Sequence, residues 1–327
     1  MRNELLRIQV RSFYDMQALR VQTGNRICAS FRTKLGLTTS NTEEINEDEV
    51  SDLTEDSEIE AEKLDADELL KNIRKEFKLM TDGVKRLTNA LKTDNKLITN
   101  QCELTLIDAY EKLLKSENDH KKAIENELAN EKIWTEYLIN IRGVGPLMAG
   151  VIVSEIDIYK CNSIAALHKY TGIDVVLIEK EDGSIVGEGR CKKAEHLEEK
   201  TYYSIKTKKK VITKGITYNP FLKTKMVGVL ARVFIKMGGP YKDIYNGNKY
   251  RLQNTPEHKD KTKKHIHNMA NRYMISEFLA DLYSVWRTIE NLPIVPRYSE
   301  AKLGIIHSKP SRVKEWIDNW NLKQKAE

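Results

Sequence analysis

The sequence predicts a mainly α-helical protein, in which long coiled-coil-like helices precede a helix-hairpin-helix domain with a small β-hairpin. Apolar residues recur every three or four positions over most of the chain, which is typical of amphipathic helices. A Gly-Val-Gly-Pro sequence predicts a tight turn between two helices, and Asp182-Gly183 between short apolar runs predicts the β-hairpin. We expect five regions: an N-terminal helix over 1–37, an acidic linker over 38–67 that is disordered or weakly helical, long amphipathic helices over 68–137, the helix-hairpin-helix domain over 138–290, and a tail with a short helix over 291–327.

Composition limits the classes of protein to which this chain can belong. Its 327 residues suffice for one large or two ordinary domains. No apolar run approaches the roughly 18 residues of a membrane span, and the charged N-terminal sequence lacks the apolar core of a secretory signal. The four cysteines lie far apart without a CxxC pair, so we expect neither disulfides nor a zinc site. We therefore expect a cytoplasmic protein with no membrane partner.

The net charge of +6 conceals a strong asymmetry along the chain. Between Glu43 and Glu68 there are fourteen acidic residues and one basic residue, Lys63, so this segment carries −13 and the remainder +19. Such a remainder is typical of proteins that bind polyanions. The acidic segment fits two interpretations, a solvated linker or a nucleic-acid mimic that shields the basic surface.

The first region is predicted to be an amphipathic helix. Its apolar residues recur at helical spacing from Leu5 to Ile27, and Gly36 ends the helix. Gly24 and Asn25 predict a kink within it.

Two long helices are expected before the Gly-Val-Gly-Pro turn. Between Glu68 and Asn140 the sequence contains no proline and one glycine, Gly83, and apolar residues keep their spacing on both sides of a break at 93–100. The helices are predicted to be antiparallel or paired with another subunit. We therefore expect a homo-oligomer formed through these helices, and no catalytic group on them.

Residues 138–156 predict a helix-hairpin-helix that holds a phosphate. Backbone N–H groups at the start of a helix have no internal partner and attract anions, and Pro146 suits the first helical position. The expected DNA contacts of this turn are Arg142, Gly143, Val144 and Gly145. Three small residues are expected to let the two helices approach closely: Gly145, Ala149 and Gly150. Larger residues are expected to form the apolar contact between the helices: Ile141, Val144, Met148 and Ile152. The same pattern also suits an ordinary helix corner inside a core.

Further elements follow this turn. Asn162 or Ser163 caps a short helix that Gly172 ends. The predicted β-hairpin pairs 174–178 with 184–186. Helices are expected over Asn219–Lys236 and Lys261–Glu290, the second with a basic front at Lys263 and Lys264, which we also assign to DNA binding.

A basic segment from Arg190 to Lys225 carries eleven basic and three acidic residues, with interleaved aromatic side chains. Lysines neutralise phosphates with release of counterions, and aromatic rings offer stacking surfaces for unpaired bases. The lysines assigned to DNA binding are Lys206, Lys208, Lys209, Lys210 and Lys214. The alternative interpretation is a solvated, lysine-rich loop.

Two sets of residues are candidates for chemistry. His265 and His267 alternate along a helix, so they face different sides, and we expect no metal site there. Ser204 precedes four lysines that would stabilise the negative charge of a phosphoryl-transfer transition state, which makes it the candidate nucleophile.

Four segments in order resemble one family of transposases. These segments are LINIRGVGPLMAGVIVSEI, SIAALHKYTGID, VITKGITYNPFLKTKMVGVLARVF and KKHIHNMANRYMISEFLADLY. They resemble the C-terminal domain of the DEDD–serine insertion-sequence transposases, the bridge-RNA-guided recombinases, over about Lys132–Glu290. The resemblance implies a serine nucleophile before an Ile-Thr-Lys sequence, and Ser204 lies eight residues before Ile212.

The resemblance also implies DNA and a structured guide RNA as partners, and a RuvC-like domain whose carboxylates bind Mg²⁺. This sequence contains no strand with an embedded aspartate before residue 140, so no cofactor is evident and Mg²⁺ would need carboxylates from a partner. Three hypotheses follow: a recombinase that uses Ser204, a non-catalytic nucleic-acid-binding protein derived from a transposase, or a structural coiled-coil protein.

Overall fold

A computed structural model shows a mainly helical chain with small antiparallel β-hairpins, which confirms the predicted fold class. It describes residues 3–37, 57–81, 91, 97–179, 183–206, 208–297 and 313–326. None of the helices in these ranges is long and apolar enough to cross a membrane. The chain divides into two compact units, Ile8–Ile124, and Met1–Arg7 together with Glu125–Glu327. This division differs from the predicted regions, because most of the N-terminal helix belongs to the same unit as the long helices.

The unit Ile8–Ile124 contains most of three helices: α1 (Glu4–Lys34), α2 (Ser57–Thr81) and α3 (Gln101–Leu128). Their apolar stripes form one core within the chain, built from Ile27, Phe31, Ile73, Phe77, Met80, Ile98, Leu104, Ile107 and Tyr110. Gly24 lies inside the continuous helix α1, where an added Cβ would approach the Tyr110 ring to 3.2 Å. The glycine therefore serves close packing rather than the predicted kink.

Of the two alternatives for the acidic linker over 38–67, the last part is helical, because α2 begins at Ser57. Glu, Ala, Leu and Lys dominate this stretch and all favour helix, and negative charge near a helix N-terminus is stabilising. Residues 38–56 lie outside the described ranges. After the predicted break at 93–100, side chains cap the start of α3. The Asn100 side chain accepts a hydrogen bond from the Glu103 N–H at 2.9 Å, and the Glu103 carboxylate accepts one from the Thr99 N–H at 2.8 Å.

The second unit is built from short helices around one long, buried helix. Its helices are α4 (Lys132–Glu136), α5 (Pro146–Glu155), α6 (Ile164–Thr171), α7 (Pro220–Lys223), α8 (Ala231–Met237), α9 (Pro240–Asn254), α10 (Lys263–Ile289) and α11 (Lys314–Ala326). A π-helical segment, Thr224–Leu230, joins α7 to α8. Most of α10 is buried, so it forms the centre of this unit.

Helix caps explain several of these boundaries. Ser163, rather than Asn162, caps α6 by accepting from the Ala166 N–H, and Gly172 ends it with φ +68°. Asn219 caps α7, and Thr262 caps α10. The two helices predicted over 219–236 and 261–290 are therefore confirmed, except that the first is π-helical in its middle.

Two β-hairpins complete the unit. In the first, β1 (Val175–Glu179) pairs with β2 (Ile185–Gly189), which confirms the predicted β-hairpin. The turn residue Asp182 lies outside the described residues. In the second, β3 (Glu198–Ser204) pairs with β4 (Lys209–Gly215). The description of this basic segment as a loop is therefore wrong, because Thr-Tyr-Tyr and Val-Ile-Thr favour strands despite the surrounding lysines.

Candidate nucleic-acid interface

The second hairpin forms a two-stranded ribbon that exposes both of its faces; we call β3, β4 and the turn between them the basic ribbon. Nearly every residue of both strands is exposed. Seven residues per strand span about 23 Å at a rise of 3.3 Å per residue. The sequence of the ribbon contains six lysines and two glutamates. It is thus a narrow, positively charged projection.

Cross-strand register assigns the side chains of the ribbon to two faces. Tyr203 lies opposite Lys210, and Thr201 opposite Ile212, so these residues share one face. The other face carries Tyr202 opposite Val211, and Ser204 opposite Lys209. Each face therefore presents one tyrosine and at least one lysine. Tyr202 and Tyr203 are 52% and 62% exposed.

The ribbon is attached to the unit at its open end. Glu198, the first residue of β3, forms an ion pair with Lys169 at 2.8 Å and contacts Arg190 at 3.5 Å. The pKa of Glu198 is lowered by its hydrogen bond to Lys169. Arg190 is buried and binds Asp174 at 2.9 Å. Glu198, one of the two acidic residues of the ribbon, is thereby neutralised where the ribbon joins the unit.

The opposite end of the ribbon concentrates positive charge. The exposed lysines of this tip are Lys206, Lys208, Lys209 and Lys210. Lys208 adopts φ +49°, a left-handed backbone conformation that closes the turn. Ile205, beside them, is 88% exposed. Like charges this close repel one another, and a polyanion relieves that repulsion.

Some members of the interface were missed by the sequence reasoning. Lys200, Ile205 and Ile212 belong to the ribbon and are exposed, with Ile212 at 64%. The available signal was the strand preference of Thr201, Tyr202 and Tyr203 and of Val211, Ile212 and Thr213. The density of lysines obscured it.

The Gly-Val-Gly-Pro turn is confirmed as a link between a short helical segment and α5. Gly143 adopts φ +100°, and an added Cβ would lie 3.1 Å from Phe234. Val144 is buried, whereas Arg142 is exposed. Gly145 has φ −87° and no atom within 4 Å of an added Cβ, so the predicted need for a small residue there is wrong.

Most of the residues predicted to pack at this turn are buried. Met148 and Ile152 are buried, and Ala149 is fully buried, while Ile141 is half-buried. Pro146 occupies the start of α5 as expected. The turn therefore has a packing role on one side and an exposed basic residue on the other.

The three predicted groups of DNA contacts lie on separate elements. Phe234, under Gly143, packs on Phe278 of α10 with ring centroids 5.4 Å apart. Lys263 and Lys264 are exposed at the start of α10. At a rise of 1.5 Å per residue, the start of α10 lies about 22 Å along the helix axis from Phe278. The structure thus clusters the lysines of the ribbon but does not bring Lys263 and Lys264 to the turn.

The position of Ser204 is defined by β3. It is half-buried at the last position of the strand, opposite Lys209. Lys206 follows two residues later at the tip. The geometry places the serine among cations, as the sequence predicted.

His267 of α10 is part of the packing of α9 on α10. His267 lies 2.7 Å from the Tyr245 hydroxyl and 2.8 Å from Asn271, and burial lowers its pKa. His265 is exposed. Among the described residues, no three histidine, cysteine or acidic side chains are arranged to hold a metal ion.

A cavity of about 300 Å³ lies at the C-terminal end of α5, away from these cations. Glu155 lines it with a fully buried side chain that binds Asn219 at 2.6 Å and Arg7 at 3.3 Å. Its carboxylate is therefore engaged in holding α1, α5 and α7 together.

Comparisons with protein-family models, with curated proteins and with solved structures gave no match for this chain.

Proposed function

We propose that this protein binds nucleic acid through the basic ribbon. The observation that carries the proposal is a ribbon exposed on both faces and rich in lysine. The major groove of duplex DNA, about 12 Å wide, admits a two-stranded β-ribbon. Lysines at the edges and tip would then reach phosphates on both sides of the groove, with release of counterions.

The exposed rings and aliphatic side chains support the same function. Tyr202, Tyr203 and Ile212 are more than half exposed, which costs free energy in water unless a ligand covers them. Bases and sugars provide such cover, and aromatic rings stack on unpaired bases.

The ribbon is poorly equipped to read sequence. Its residues 198–215 include no arginine, asparagine or glutamine, the side chains that pair best with base edges. We therefore propose binding with little sequence preference, in which Arg142, Lys263 and Lys264 add separate phosphate contacts.

The test replaces Lys206, Lys208, Lys209 and Lys210 together by glutamine and measures affinity for a 30-base-pair duplex by fluorescence anisotropy. Removal of four phosphate contacts is expected to weaken binding about a hundredfold at moderate salt. The matched control removes the same charge from exposed lysines of α2 and α3: Lys71, Lys75, Lys115 and Lys122. Equal losses in the two variants would show a nonspecific charge effect and contradict the proposal. Retained DNA affinity with lost binding to anionic vesicles would assign the ribbon to membranes instead.

A second function, DNA recombination, is favoured by the position of Ser204 beside Lys209. Its hydroxyl oxygen would attack a phosphorus, forming a serine–DNA ester as one P–O bond breaks and a hydroxyl-ended strand leaves. The test incubates the protein with labelled DNA and Mg²⁺ and looks for a covalent adduct on a denaturing gel. An adduct that disappears in Ser204→Ala, but not in Ser184→Ala, supports this function. Its absence in the parent protein leaves non-catalytic binding as the function.

The resemblance to guided transposases extends the proposal to partners and location. We place the protein at the nucleoid in the cytoplasm, bound to DNA and a structured RNA. Sequencing the nucleic acid that co-purifies from the host checks both, and sedimentation measures whether the long helices form a homo-oligomer.

A further inference from the structure

Cys191 lies in a group of reactive side chains outside the basic ribbon. Its Sγ is 3.1 Å from Nδ1 of His196, and its backbone N–H donates to the same nitrogen at 2.9 Å. Because Nδ1 is an acceptor, its lone pair faces the cysteine. A thiol with an imidazole acceptor at this distance can transfer its proton.

The other nitrogen of the same imidazole is arranged to support that transfer. The side chain of His196 is fully buried, and Nε2 has no hydrogen-bond partner among the described residues. The nearest charged oxygen is Oε2 of Glu188, at 3.9 Å. That oxygen is also paired with Lys193 at 2.6 Å, so His196 shares this carboxylate with the lysine.

Two cations approach the chain next to the thiol. Lys223 donates to the carbonyl oxygen of Arg190, the residue before Cys191, at 2.5 Å. The Arg272 guanidinium would lie 2.7 Å from a Cβ added to Gly189, two residues before Cys191. Both basic side chains are therefore held beside residues 189–191.

Neither cation has a carboxylate partner of its own. Arg272 donates to two backbone carbonyls, those of Gly172 and Asp174, and its pKa is lowered by burial. Burial and the nearby Arg272 lower the pKa of Lys223 to about 8. Within the part of the chain that the structure describes, neither forms an ion pair, since Asp174 is paired with Arg190. A thiolate would supply the missing negative charge.

The remaining charged and titratable groups near the thiol do not cancel this field. Lys193, on the exposed side, is paired with Glu188 at 2.6 Å, so these two charges balance each other. The Tyr218 ring lies under the Lys223 ammonium at 4.7 Å, and the pKa of Tyr218 is raised by burial, so it stays neutral. Cys191 itself is half-buried rather than enclosed in the core.

We propose that Cys191 is a nucleophilic thiol, activated by His196, that undergoes exchange with small disulfides that carry carboxylates. The thiol proton moves to Nδ1 of His196, which thereby gives up its hydrogen bond from the Cys191 N–H, and the thiolate attacks one sulfur of the disulfide. A new S–S bond to Cys191 forms as the old one breaks, and the departing thiolate takes the proton from His196. One thiol and one disulfide yield one mixed disulfide and one thiol. Lys223 and Arg272 attract the carboxylates of the incoming molecule.

The chain supplies its own reference thiols for the test. Cys102 is exposed in the first turn of α3, so reagents reach it easily and it is a demanding standard. Cys28 and Cys161 are buried, and burial raises the pKa of both, to about 11 for Cys161. All four thiols can be followed in one sample.

The experiment treats the reduced protein at pH 7 with glutathione disulfide and quantifies the mixed disulfide on each cysteine by peptide mass spectrometry. We expect Cys191 to react at least tenfold faster than Cys102, although Cys102 is more exposed. With cystamine, a cationic disulfide, the ratio of the Cys191 rate to the Cys102 rate is expected to be lower. A Cys191 rate at or below that of Cys102 with both disulfides would overturn the proposal.

The role of His196 is tested with His196→Asn, because the asparagine oxygen can still accept from the Cys191 N–H but cannot take a proton from the thiol. The expected result is a tenfold slower reaction at Cys191 and an unchanged rate at Cys102. Continued slow reaction of Cys161 shows that the variant is folded. If the variant does not fold, Lys223→Met provides a second test, which predicts loss of the preference for glutathione disulfide over cystamine. An unchanged Cys191 rate or preference in the folded variant contradicts the assignment.

Discussion

The two β-hairpins both expose large side chains to solvent, but they differ in charge. The strands of the first, β1 and β2, contain two glutamates and no lysine, and leave Leu177 and Ile185 about 70% exposed. The strands and turn of the second carry six lysines and two tyrosines. Exposure alone therefore does not mark a nucleic-acid surface. What distinguishes the basic ribbon is cationic charge combined with rings on both faces.

The hairpins also share one anchor. Arg190 follows β2, pairs with Asp174 before β1, and contacts Glu198 at the start of β3. It additionally donates to Thr217 at 2.9 Å and to the carbonyl of His196. A single buried guanidinium thus holds the ends of both hairpins.

The largest effect on stability is expected from removing this anchor. Arg190→Met should lower the free energy of unfolding by about 3–5 kcal/mol, because it leaves the Asp174 carboxylate partly buried without its partner. Urea denaturation measures the change. The matched control is Lys193→Met, which removes an exposed ion pair with Glu188 and is expected to leave the free energy of unfolding almost unchanged. Similar costs for the two variants would show that the anchor does not act through burial.

A smaller effect is expected when the rings of the basic ribbon are removed without changing its charge. Tyr202→Ala with Tyr203→Ala should weaken binding of single-stranded DNA by about 1–3 kcal/mol for each stacked base. The same treatment of the first hairpin, Leu177→Ala with Ile185→Ala, is expected to leave affinity unchanged. Anisotropy titrations compare the two pairs. A loss in both, or in neither, would erase the distinction between the hairpins.

The third prediction concerns pH dependence where the hairpins meet the helices. The pKa of Lys223 is about 8 in the folded chain, below the ordinary lysine value of 10.5. Between these values the unfolded state binds the proton that the folded state has lost, so this group makes stability rise with pH from about 8 to 10.5. Lys223→Met should remove that increment. Unfolding free energies of both proteins at pH 7 and pH 10 give the difference, and an equal rise in both would show that Lys223 keeps an ordinary pKa.

Much of the helical framework could be predicted from local signals. Ser163, Gly172 and Pro146 are residues with strong positional preferences at helix ends, and all three occupy the expected positions. The start of the helix at Ser57 was not located, because the many acidic residues around it suit a disordered linker as well as a weakly helical one. Local composition could not distinguish the two.

The candidate site was predicted in part. The lysines and Ser204 were identified by charge and order, but the ribbon that groups them depends on pairing between strands, which no local pattern specifies. The group at Cys191 was not predicted at all, because His196, Lys223 and Arg272 come from three separated segments. Only tertiary packing brings them beside one cysteine.

The central claim is that the tip lysines of the basic ribbon bind phosphates, and the salt dependence of DNA binding tests it most directly. The logarithm of the association constant is measured against the logarithm of salt concentration for the parent protein and for the variant with glutamine at Lys206, Lys208, Lys209 and Lys210. The predicted slope of the variant is shallower by about 0.9 for each phosphate that a lysine no longer neutralises, which amounts to about 3–4 in total. Parallel lines for the two proteins would contradict the account.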